Sequence, residues 1–300
     1  MPLVAIGAEA LTKRYGGVAA LDHLDLEVPR GEVFGFLGPN GAGKTTTIRL
    51  LLGLIRPTAG RATIFGLDCE RQSVAAHRRL AFVAGEANLW PSLTGAETLH
   101  LLGRVHGQVD EAYRDELVDR FDLDPGKKVR AYSKGNRQKV TLIAALMVRP
   151  EVLILDEPTT GLDPLMEQAF RRSIAEARER GQTVFLSSHI MSEVEALCDR
   201  VGILRQGKLV EIGTLAELRH LSALTVEATF NGAVPELSGV AGVSAVTTNG
   251  RVVRCQVRGP VEPLLKVLAA AEVSQLLSRE PSLEELFLAQ YGEADQSRAT

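Results

Sequence analysis

Gly38-Pro39-Asn40-Gly41-Ala42-Gly43-Lys44-Thr45 is the stretch that decides the fold. It fits G-x-x-x-x-G-K-[ST] and sits between the apolar run Val33-Phe34-Gly35-Phe36-Leu37 and the helical run Thr46-Thr47-Ile48-Arg49-Leu50-Leu51-Leu52. A strand, a glycine loop and a helix in that order make a phosphate cradle. The glycines let successive backbone N–H groups turn toward one point, and the helix N-terminus adds positive potential there. The pattern predicts that Gly38, Pro39, Asn40, Gly41, Ala42, Gly43, Lys44, Thr45 and Thr46 surround a nucleotide's phosphates. Lys44 would place its charge by the β- and γ-phosphates, and Thr45 its hydroxyl on Mg²⁺.

Composition sets the frame around this loop. The chain has 300 residues, a net charge of −3 and 24% charged residues, as expected of one large domain with a small appendage. No apolar run approaches the ~20 residues of a membrane span, and Met1-Pro2-Leu3-Val4-Ala5-Ile6 has neither the basic segment nor the long apolar core of a secretion signal. The expectation is a chain that stays in the cytoplasm. Cys69, Cys198 and Cys255 are widely spaced, odd in number and away from any histidine cluster, so they read as reduced packing residues. A near-neutral balance without a Lys/Arg tract argues against a nucleic-acid surface.

Outward from the cradle, Leu21 to Val28 alternates apolar and polar residues, and Arg61 to Gly66 reads as a strand that returns to it. A short antiparallel sheet is therefore predicted beside the cradle strand. From about Glu86 to Arg149 the pattern is mostly helical, with Glu97–Leu102 and Tyr113–Val118 at helical spacing. Val152–Leu155, Thr183–Leu186 and Val201–Leu204 are short apolar runs separated by helical segments, the pattern of buried parallel strands. After about Leu221 the strands Leu224–Phe230 and Arg251–Val257 and the helical runs Val261–Ala271 and Ser282–Gln290 predict a small α+β domain.

The predicted fold class is α/β. It comprises a P-loop NTPase core with a parallel sheet, an N-terminal antiparallel β subdomain, a helical insertion over about 86–150 and a small C-terminal α+β domain. Residues 1–220 form the nucleotide-binding part, 221–292 the accessory domain and 293–300 a fraying tail.

Nucleotide hydrolysis also needs a carboxylate for the metal and a group to orient the attacking water. Val152-Leu153-Ile154-Leu155-Asp156-Glu157 supplies both at a strand end. Asp156 would hold Mg²⁺, directly or through water, and Glu157 would polarise the water that attacks the γ-phosphorus. Paired acids after a strand also serve simply as helix caps.

Tyr132-Ser133-Lys134-Gly135-Asn136 resembles the signature motif of ATP-binding cassette ATPases, a variant of Leu-Ser-Gly-Gly-Gln, at the start of a helix shortly before the acidic strand. The resemblance implies that Ser133, Gly135 and Asn136 face the P-loop of a second nucleotide-binding subunit across a shared ATP; taken alone, Ser133 reads as a helix cap. Further matches follow in family order and extend the resemblance over roughly residues 3 to 220. Tyr15, in Lys13-Arg14-Tyr15-Gly16, is similar to the family's adenine-stacking aromatic. Asp163, in Thr160-Gly161-Leu162-Asp163, resembles the aspartate that contacts the opposite subunit. His189, in Ser187-Ser188-His189, resembles the switch histidine that reaches the γ-phosphate.

One position departs from the family. Counting back from Leu89-Trp90-Pro91 puts Gly85 where the family places a glutamine that approaches the metal and the water. Glu86 is the nearest substitute, with water as the alternative. Trp90 reads either as flanking the groove that receives a membrane partner or as partly buried without a contact. The resemblance implies an ATP- and Mg²⁺-dependent ATPase at the cytoplasmic face of the membrane, driving a separate membrane-spanning permease. Pro281 to Leu288 resembles the end of drug- and antibiotic-exporter ATPases. An importer subunit, or a soluble cassette ATPase acting on ribosomes or DNA, are the alternative readings.

Overall fold

The chain opens with two long strands, β1 (Val4–Tyr15) and β2 (Val18–Pro29), followed by β3 (Val33–Leu37), helix α1 (Lys44–Leu51), β4 (Ala59–Ile64) and β5 (Leu67–Asp68). Next come α2 (Ser73–His77), β6 (Leu80–Val83) and the helices α3 (Gly95–His106), α4 (Glu111–Arg120) and α5 (Lys134–Met147). Then follow β7 (Val152–Asp156), α6 (Pro164–Glu179), β8 (Thr183–Ser188), α7 (Met191–Leu197), β9 (Arg200–Arg205) and β10 (Lys208–Thr214). The last elements are α8 (Leu215–His220), β11 (Leu224–Phe230), β12 (Val243–Asn249), β13 (Val252–Val257), α9 (Glu262–Ala269) and β14 (Val273–Arg279). The computed structural model describes residues 3–107, 109–220 and 224–279. The expected helix Ser282–Gln290, the Pro281–Leu288 match and the tail at 293–300 lie outside the described residues. Contacts divide the chain into Met1–Ile212 and Gly213–Thr300, a division that falls before the expected one at residue 220.

In the first unit, six strands form one sheet in the order β10-β9-β3-β8-β7-β6, with β9 to β6 pairing in parallel. Every residue of β3, β7 and β8 is buried, as strands covered on both faces require. Phe185 packs against Phe34 and Phe36, with ring centroids 5.9 and 5.2 Å away. Truncating such a ring to alanine costs about 3–5 kcal/mol. This strand order sets the C-terminal ends of β3, β8 and β7 side by side, and ligand sites of open α/β sheets form at that edge. The second sheet, β2-β1-β4-β5, is antiparallel and includes the predicted return strand.

Two local expectations are corrected. Strand β6 was not anticipated, because four residues are too few to show a period. Regular helix begins at Gly95 rather than near Glu86. Thr94 caps it, accepting from the Glu97 amide at 3.2 Å while Glu97 accepts from the Thr94 amide at 2.7 Å. The helical region is tied to the sheet layer through Arg120 of α4. Its guanidinium donates to both carboxylate oxygens of Glu176, at 2.8 and 3.0 Å, and to the Ser173 hydroxyl at 2.9 Å, both on α6.

The second unit carries an antiparallel sheet in the order β12-β13-β11-β14. Leu264 and Leu268 of α9 are buried in one core with Val226, Phe230, Val253 and Val257. This is the α+β arrangement expected, with β12 and β14 as additional strands. All three cysteines are free and buried, and burial pushes the Cys69 thiol up to about 12.

Candidate functional site

Residues 38–43 turn the chain from β3 into α1. Gly43 closes the turn at φ +115°, in the left-handed region, and a Cβ there would stand 2.6 Å from the Ala20 carbonyl oxygen, so glycine is required on both counts. Lys44 follows at 5% exposure. Its ammonium donates to the carbonyls of Gly38 at 2.7 Å and Pro39 at 3.3 Å and lies 3.7 Å from Glu157 Oε1. Burial pulls its pKa below the usual lysine range; the carboxylates of Glu157 and Asp156 oppose that shift. Thr45 and Asn40 are exposed beside it and Thr46 is half-buried.

Asp156 closes β7 and is held from two sides. Thr45 Oγ1 donates to its Oδ2 at 3.1 Å, and Ser187 Oγ donates to its Oδ1. Glu157 comes next at φ +48°, a conformation that costs a non-glycine residue about 1–3 kcal/mol and marks a backbone held by its surroundings. The holding bond is visible, since the Glu157 amide donates to the Ser187 carbonyl at 3.0 Å. The carboxylate is thereby aimed between Lys44 and His189, whose Nδ1 lies 3.1 Å from Glu157 Oε1. An oxygen pair suited to a hard cation, a carboxylate able to take a proton and a positive anchor thus meet at one sheet edge.

Thr45, Asp156 and Glu157 border a cleft of about 540 Å³, lined also by Asn40, Gly85, Glu86, Lys134 and Thr160. A Cβ at Gly85 would stand 3.2 Å from the Asp156 carbonyl oxygen and 3.8 Å from Glu157 Cβ. A side chain at that position would start beside both acids, and glycine supplies none. Glu86, the next residue along the cleft wall, is exposed.

Other predicted residues stand apart. Tyr15 is half-exposed at the end of β1, with the Lys13 ammonium 5.1 Å from its ring centre. Ser133 is exposed at the N-terminus of α5, where its hydroxyl accepts from the Asn136 amide at 3.2 Å. Gly135 comes close to the loop before α6: a Cβ on it would lie 2.6 Å from the Gly161 carbonyl oxygen. Asp163 caps α6, accepting from the amides of Leu165 and Met166 at 3.0 Å each. The structure therefore gathers Lys44, Thr45, Asp156, Glu157 and His189 into one group and sets Ser133, Gly135, Asn136 and Asp163 in a second.

Three supporting residues were not singled out from sequence. Ser187 is found through the parallel register that pairs it with Asp156. Gln138, 2% exposed, donates to the Pro158 carbonyl at 3.0 Å and so ties α5 to the turn after Glu157. Lys134 lines the cleft of its own chain, although the sequence reading set its neighbours Ser133, Gly135 and Asn136 toward a second subunit.

Residues 21–160 match the family model described as ABC transporter. The daunorubicin resistance ATP-binding protein DrrA3 of Streptomyces coeruleorubidus is 40% identical over 300 aligned residues, 95% of each chain. The bacitracin transport ATP-binding protein BcrA of Bacillus licheniformis is 44% identical over 204 residues, 67% of each chain. Among solved structures, the ATP binding subunit of an ABC transporter superposes with a TM-score of 0.68 at 31% identity, covering 72% of this chain and 92% of that one.

Proposed function

This chain belongs to the ABC transporter family as one of its ATP-hydrolysing subunits, and from that premise we propose that it drives export of a drug- or antibiotic-like small molecule through a separate membrane-spanning subunit. The observation that carries the ATPase chemistry is Glu157, bent into a left-handed conformation between Lys44 and His189. Export is supported by end-to-end similarity to a protein named for daunorubicin resistance, which also weighs against the importer reading.

In this reading the amides of residues 40–46 and the Lys44 ammonium bind the triphosphate, and Tyr15 stacks on the adenine. Thr45 and Asp156 hold Mg²⁺; their oxygens already stand together at 3.1 Å and are the hard donors such an ion takes. The ion, when bound, neutralises charge on the phosphate oxygens. Glu157 takes the proton of the attacking water, and His189 fixes the carboxylate and meets the γ-phosphate. Glu86 or a water serves at the place where Gly85 offers no side chain. Ser133, Gly135 and Asn136 of a second subunit, with Asp163 beside them, close the site from outside.

No helix among the described residues is long and apolar enough to cross a membrane, and this reading assigns the translocation path to another chain. A groove of about 500 Å³ bordered by Leu54, Val74, Phe82 and Val105, which are 62%, 69%, 37% and 76% exposed, is the seat we assign to that subunit at the cytoplasmic face. Affinity purification of the tagged chain from detergent-solubilised membranes tests the reading, with ATPase activity measured on the same material. We expect a polytopic membrane protein and ATP turnover together. Soluble partners alone would overturn the transporter assignment and leave the nucleotide site standing.

A further inference from the structure

Glu193 sits in the first turn of α7 just beyond His189, is 4% exposed, and has no part in the chemistry described above. Its Oε2 accepts from the Ser188 hydroxyl at 2.6 Å, and that hydroxyl in turn accepts from the Ile190 amide at 2.9 Å. A hydroxyl has one proton, so the chain runs in one direction: Ile190 N–H to Ser188 to Glu193. The backbone is thus clamped on both sides of His189. The second carboxylate oxygen, Oε1, is buried without a hydrogen-bond partner among the described residues. An acceptor left in that condition is costly and calls for an explanation.

Thr159, 7% exposed in the turn after Glu157, is a second hydroxyl that favours the charged form of this carboxyl. Glu167 and Arg171 of α6 also act on it, with opposite signs. Burial raises the Glu193 pKa, and the Ser188 and Thr159 hydroxyls partly offset that rise.

We propose that Glu193 is a positioning residue: it holds His189 against Glu157 through Ser188. Glu193 touches neither substrate nor metal and acts through His189 alone. The inference rests on the assignment of Glu157 and His189 to hydrolysis, and the test separates the two.

Steady-state ATP turnover is measured on the full chain for wild type, Glu193→Ala, Glu193→Gln, Ser188→Ala, His189→Ala and the Glu193→Ala/His189→Ala pair. Glu193→Ala should lower kcat about 100-fold with KM for MgATP changed by less than about twofold, the pattern of misplaced machinery rather than lost binding. Glu193→Gln should stay within about threefold of wild type, since its amide oxygen still accepts from Ser188. In the His189→Ala background, Glu193→Ala should add nothing. Losses that multiply in the pair, a glutamine variant as poor as alanine, or wild-type kcat in Glu193→Ala would each overturn the proposal. Should Glu193→Ala not fold, Ser188→Ala decides: it must reproduce the kcat loss, and wild-type kcat there refutes the chain. Unchanged turnover in His189→Ala alone would instead refute the assignment of His189 to hydrolysis.

Discussion

Lys44 is almost fully buried, with its ammonium already gripped by two main-chain carbonyls and a carboxylate, whereas Ser133 stands exposed at a helix N-terminus, its hydroxyl accepting from the nearby Asn136 amide. Both belong to loops that face phosphate in the proposed reading, yet they are built in opposite ways. The first pole is assembled within one chain: Asp156, Glu157 and His189 stand at the ends of β7 and β8, and Thr45 stands in the first turn of α1. The second offers its donors outward, and Asp163 spends its oxygen on capping α6. A pole that is complete in one copy can bind nucleotide alone. A pole whose donors face solvent has work only when another molecule brings a phosphate to it.

Substitutions separate the two poles. Glu157→Gln should cut turnover about 1,000-fold while leaving ATP affinity intact, because it removes proton acceptance and little of the cradle. Single-turnover assays beside nucleotide titration check both halves. Lys44→Ala should raise the Kd for ATP about 100-fold through the loss of one charge-assisted contact of about 3 kcal/mol. Fluorescent-nucleotide titration reads that change directly, and wild-type affinity would remove Lys44 from the first pole. Tyr15→Ala should weaken binding about 10-fold, the value of one base–aromatic stack. A loss for ATP but not for inorganic triphosphate would locate the effect at the base. Ser133→Arg should leave monomer affinity within about twofold and act only on association, since its position lies outside the cleft of its own chain. A large loss of monomer binding in that variant would erase the distinction between the poles.

How much of this was legible beforehand follows the same division. The cradle could be read because its chemistry demands rare residues at fixed spacing: Gly43 at positive φ and Lys44 directly after it. Asp156 and Glu157 could be read because an apolar run ends at them. What the sequence could not give was the set of partners chosen by register and burial. Ser187 reaches Asp156 because β7 and β8 run in parallel at that offset, and Gln138 reaches the Pro158 carbonyl across the fold. The left-handed backbone of Glu157 leaves no trace in residue type. β6 is too short to betray a period, and the stretch before Gly95 resembles helix in composition while Pro91 and the Thr94 cap postpone the first turn. Gly85 is the reverse case: the departure was plain in sequence, and the structure adds that a Cβ there would border both acids.

In the proposed reading one chain holds the first pole and a second nucleotide-binding subunit completes it, a part that another copy of this chain can take. The most direct test is the solution mass of Glu157→Gln by light scattering, in MgATP and in MgADP, beside the Ser133→Arg/Glu157→Gln pair. The expected result is twice the 32.4 kDa chain mass in MgATP only, and a single chain for the pair under all conditions. A single-chain mass for Glu157→Gln with ATP bound, or equal dimer formation by the pair, would contradict it.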